Sequence, residues 1–109
     1  MPRWYSIAVS IERSGALSIV TREDVDPGHQ MECRYVVFDR EPLSVSIREV
    51  HAGHVISDDS RSGTLADVPS AAVDEARGWI SETIARTPDG SALRGALERH
   101  ALRLSGATT

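Results

Sequence analysis

The hydrophobic pattern of this chain changes its period once. Tyr5, Ile7, Val9 and Ile11 alternate with polar or small residues. So do Leu17 and Ile19, then Met31, Cys33, Tyr35 and Val37, then Leu43, Val45 and Ile47. Alternation at period two marks a strand with one buried face. After about Thr64 the spacing becomes helical: Val73, Ala76, Ile80 and Ile84, then Leu93, Leu97, Ala101 and Leu104. A one-sided sheet and two one-sided helices each carry a face that must leave water, and they satisfy that need on each other. The pattern therefore predicts an α+β domain. An antiparallel four- to five-stranded meander sheet over residues 3–57 precedes two C-terminal amphipathic helices over 69–86 and 91–104, packed on one face, with a frayed tail over 105–109.

The first hairpin is specified by its own residues. Ile11 and Leu17 must share a face, as must Val9 and Ile19. That register leaves Arg13-Ser14-Gly15 as a three-residue loop, and Gly15 stands where such loops need a left-handed residue. A two-residue turn at Ser14-Gly15 would mix the faces. Residues 22–30 are read as a longer connection with Asp26-Pro27-Gly28 as its turn. A third strand is expected over 31–38, a fourth over 43–50, and a short fifth over 54–57 after a turn at Ala52-Gly53. Residues 58–63 are read as a polar loop between the sheet and the helices. Ser91 is a good N-cap for the second helix.

Size and composition narrow the function. At 109 residues the chain is long enough for one core and too short for two. A net charge of −4 gives no field favouring non-specific phosphate binding. Lysine and asparagine are absent, so all twelve cationic side chains are arginine. A GC-rich genome is the ordinary cause. The absences exclude Schiff-base lysine chemistry, a phosphate-loop lysine and N-glycosylation. Cys33 is the one cysteine, which fits a reducing, cytoplasmic setting. No apolar stretch reaches the length of a membrane span.

Four sets of residues invite a site. His51 and His54 flank a turn with Asp58 and Asp59 a few residues on. A zinc site wants three or four converging ligands, and one such pair lacks a second, so solvated turn residues are the simpler account. Cys33 falls on the inward side of its strand, where a thiol is inert. Arg94, Arg99 and Arg103 on the second helix offer a secondary surface for an acidic partner; the plain alternative is a solvated cationic face.

The fourth set is the sheet's second face. It carries Trp4, Val20, Arg34, Val36, Phe38 and Arg48 among small residues, where a solvated face would carry Thr, Glu and Lys. Aromatics and arginines amid small neighbours suit protein contact. The alternative is that loops or the tail cover this face.

The sequence accordingly predicts a small, soluble, non-enzymatic protein-binding module, an inhibitor, immunity-type factor or adaptor of the kind phages and mobile elements encode. It would use no cofactor and no metal and would cover a partner protein's surface with that face, a second copy of the chain being one such partner. Membrane binding is not expected. A nucleic-acid-binding domain using the same face is the second reading, with Trp4 and Phe38 stacking on bases. A small enzyme or metal-binding protein around His51 and His54 is the third.

Overall fold

The computed structural model describes residues 5–40 and 42–105. Five strands follow in chain order: β1 (Tyr5–Ile11), β2 (Leu17–Asp26), β3 (His29–Val37), β4 (Leu43–His51) and β5 (His54–Gly63). Each pairs antiparallel with its sequence neighbours, so the spatial order is β1-β2-β3-β4-β5. A 3-10 turn at Leu65–Asp67 leads into α1 (Ser70–Ala85) and α2 (Ala92–Ser105). This is the α+β meander with C-terminal helices that the change of period predicts.

The first hairpin closes as its residues require. Ile11 pairs with Leu17 and Val9 with Ile19. Glu12 N–H donates to the Ala16 carbonyl at 2.8 Å, and Gly15, at φ +94°, donates to the Glu12 carbonyl at 2.9 Å. A residue with a Cβ would be strained there, so glycine fixes the turn and the turn fixes the register.

That register sets the faces of the whole sheet. Two cross-strand rows face the helices: Ile11, Leu17, Val37 and Leu43, then Val9, Ile19, Tyr35 and Val45. From the helices come Ala72, Val73, Ala76 and Ile80 on α1, with Leu97 and Leu104 on α2, all part of the same buried cluster. The inner members of the two rows are buried, while Val9 and Ile11 on edge strand β1 are half-buried. Burial pushes the Tyr35 phenol up to about 12, with the Cys33 thiol beside it adding to the shift. Ser91 caps α2 as expected: its Oγ accepts from Arg94 N–H at 3.1 Å.

Three features depart from the sequence reading. Residues 22–30 do not form a long connection; β2 and β3 continue to Asp26 and His29 and turn at Pro27-Gly28. Residues 58–63 are not a loop; they complete a ten-residue β5. Both stretches lack apolar alternation because neither has a helix over it. They hold strand geometry by ladder bonds and cross-strand pairs such as Arg22 with Glu32 and Arg48 with Asp58. The polar edge also protects β5 from pairing with another chain.

The third difference is on α2. Its buried side is Ala96, Leu97, His100 and Leu104, while Leu93 is 44% exposed. His100 is 1% exposed, and its Nε2 lies 2.8 Å from the Gly15 carbonyl oxygen. This hydrogen bond pins the first hairpin's turn to the last helix, with the Ala96 Cβ directly beneath Gly15.

Candidate binding face

The side of the sheet turned from the helices carries two rows of mostly small residues beside a charged one. One row across the strands reads Ser10, Ser18, Val36, Ser44 and Ser62; the next reads Ala8, Val20, Arg34, Ser46 and Ser60. A third reads Ser6, Arg22, Glu32, Arg48 and Asp58. Short side chains leave the floor low, which lets another surface come close to the strands.

The third row is a ladder of alternating charge. Arg22 Nε lies 2.7 Å from Glu32, and Arg48 lies 3.3 Å from Asp58. Both pairs are substantially solvated, so each contributes little to stability and mainly fixes where the charges sit. Arg34, one row over, differs. It is exposed on the central strand, and among the described residues no hydrogen bond or ion pair engages it. It lines a hollow of about 190 Å³ with Glu32, Ser46, Arg48 and Asp58.

Phe38, just past the end of β3, is 44% exposed. It borders a second hollow, of about 350 Å³, floored by Ser44, Ser60 and Ser62. Val20, beside Arg34 on β2, and Val36, on β3 between Arg34 and Phe38, are half-buried in the floor, and Arg48 is exposed. Five of the six residues singled out in the sequence are therefore brought to one side of the sheet. The sixth, Trp4, lies outside the described residues.

The secondary surface is engaged within the molecule. Arg94 reaches Asp89 at 2.9 Å and Glu98 at 3.2 Å, and donates to the Thr87 carbonyl at 2.9 Å, closing the end of α1. Arg99 reaches Asp39 at 3.4 Å, and Arg103 donates to the Phe38 carbonyl. These last two tie α2 to the connection after β3. Arg94 is thus engaged by residues near it in sequence, whereas the partners of Arg99 and Arg103 lie some sixty residues away.

The histidine set does not converge. His51 and His54 are register partners at the tip of the β4–β5 hairpin. Asp58 instead pairs with Arg48 on the open face, and the register puts Asp59 opposite Ile47 on the other. The His51 ring packs on that of His29, ring centroids 5.7 Å apart and edge-on. His29 in turn lies 3.1 Å from Glu49. Among the described residues no group of three or more His, Cys, Asp or Glu is placed to hold a metal ion. Cys33 is a free thiol, half-buried against the core.

One shifted carboxyl marks a junction rather than a site. The Thr64 backbone N–H, at 2.8 Å, and then the Arg61 guanidinium hold the Asp67 carboxyl below its ordinary range. The interaction closes the corner between β5 and α1.

Comparison with known proteins finds no family model, curated protein or solved structure that matches the chain. Among the described residues no helix is long and apolar enough to cross a membrane.

Proposed function

We propose that the chain is a small binding module that covers part of another protein's surface with its open sheet face and carries out no chemistry of its own. The observation that carries this reading is Arg34: an unengaged guanidinium at the centre of a low, small-residue floor, flanked in the same face by Val20 and Val36. An arginine so placed suits an acidic side chain of a partner, with bidentate geometry available. Phe38 adds an apolar contact at the rim of its hollow. The partner is accordingly a protein presenting a carboxylate beside a small apolar group. The role is that of an inhibitor, immunity-type factor or adaptor, and the single thiol supports a cytoplasmic setting.

The test begins with absolute mass by light scattering across a concentration series. A stable dimer lost in Phe38→Ser assigns the face to a second copy. A monomer throughout leaves the face free, and a partner captured on it should be lost with Arg34→Glu. Capture unaffected by both Arg34→Glu and Phe38→Ser overturns the proposal. A salt-sensitive gel shift with a mixed-sequence oligonucleotide would favour the nucleic-acid reading instead. Against that reading, Arg22 and Arg48 are already matched by Glu32 and Asp58.

A further inference from the structure

A third cavity lies at the β1 edge of the sheet, where the first hairpin's turn meets the two helices. It is a groove of about 700 Å³, within the range of small-molecule sites. Its apolar walls are Ile11 from the end of β1, Trp79 from α1, and Leu93 and Ala96 from α2. Trp79 and Ile11 are half-buried against the core, so the walls continue the hydrophobic cluster outward. Leu93 accounts for its own exposure here. It leaves the buried stripe of α2 and presents its side chain to the groove instead.

The groove's polar residues are not neutral in charge. Arg13 and Arg99 line it with a single carboxylate, Glu12. Arg99 is shared with Asp39, whereas no hydrogen bond or ion pair engages Arg13 among the described residues. The groove is also well supported. Gly15, one of its lining residues, is held by His100 through its carbonyl and lies over Ala96. The turn bearing Arg13 is thus fixed against α2.

We infer that this groove binds a small amphipathic carboxylate, its hydrocarbon body against Trp79, Ile11, Leu93 and Ala96 and its anionic head at Arg13. An aliphatic or aromatic body gains by leaving water, and the guanidinium supplies a charge-assisted hydrogen bond at the mouth. The site is independent of the open sheet face, so the two stand or fall separately.

Decanoate below its micellar range, titrated into the full chain and followed by proton–nitrogen NMR, tests this. The Trp79 indole and the Leu93 and Ala96 amides should shift along saturable single-site curves. Decanol, with the same tail and no charge, should bind about tenfold more weakly, the worth of one charge-assisted hydrogen bond. Arg13→Glu should bring the two ligands level, Arg13→Gln should move in the same direction by less, and Leu93→Ser should weaken both. The inference is overturned if decanoate moves none of these resonances. It is equally overturned if decanol binds as well as decanoate to the unaltered chain, or if the shifts fall on the open face. Concentration-dependent shifts of the same resonances without ligand would assign the groove to a second copy and overturn it too.

Discussion

The same five strands make two different kinds of sheet. Near the first hairpin's turn, the rows from Ile11 to Leu43 and from Val9 to Val45 lie under the helices and carry the core. Toward the other end, the helix-side row reads Tyr5, Glu23, Met31, Glu49 and Ser57, followed by the register neighbours His29, His51 and His54. Residues there are half-buried or exposed, and β5 is exposed along nearly its whole length. Yet the ladder runs on unbroken apart from a register shift between Glu49 and Val50 and another between Asp24 and Asp26. The contrast shows that apolar alternation reports where a sheet is covered, whereas strand length follows from pairing.

The comparison is broken most directly in the covered half. Ile19→Ala should cost about 3–4 kcal/mol, since a fully buried side chain is removed from a core that relaxes only in part. Met31→Ala, half-buried and beyond the helices, should cost roughly a third of that. Urea denaturation with an unchanged slope measures both, and equal losses would mean the two halves are energetically alike. His100→Ala comes next, at about 2 kcal/mol, because it strands the Gly15 carbonyl against a buried helix face. Gly15→Ala should cost about 1 kcal/mol through its positive φ alone, since the added Cβ would meet Ala96 at ordinary contact distance.

A pH series sharpens the contrast at the corner after β5. The Asp67 carboxyl is held below its ordinary 3.8 by Thr64 and Arg61 in the folded chain. A folded pKa below the unfolded one means that the stabilisation is present above the unfolded value and fades as pH falls through the folded one. Asp67→Ala should therefore lower the melting temperature at neutral pH, and the gap from the parent should close as the pH drops below the usual carboxylate range. A gap that persists unchanged into strong acid would assign Asp67 a role other than its charge. The smallest effect belongs to the open face: Arg48→Ala should shift stability by less than about 1 kcal/mol, as expected for a solvated pair.

Much of the covered half was legible in the residues. The Ile11–Leu17 and Val9–Ile19 pairings, Gly15 as the left-handed residue and the Ser91 cap each follow from a local rule with one satisfactory outcome. The far ends of β2 and β5 were not legible, because Thr21 to Asp26 and Asp58 to Gly63 carry polar residues on both faces and so resemble loops. His100 did leave a trace: it falls three residues after Leu97 and four before Leu104, in the middle of the buried stripe. Its partner Gly15 is remote in sequence, and so are Asp39 and Phe38, which engage Arg99 and Arg103. Long-range polar partners leave no periodicity. For the open face, parity along each strand was enough to gather Val20, Arg34, Val36 and Arg48, whereas the unengaged state of Arg34 emerges only from the fold.

The strict chain order of the strands has a consequence for how the molecule is made. Each strand finds its neighbour in the segment just before it, so hairpins can close one after another as the chain leaves the ribosome. The helices that cover the oily rows come last, with Leu104 nearly sixty residues after Val45. At a synthesis rate of about 5–20 residues per second, the finished sheet waits several seconds with its apolar side bare. The His100 contact, made by the second helix to the first turn, is then among the last to form and closes the youngest part of the chain onto the oldest.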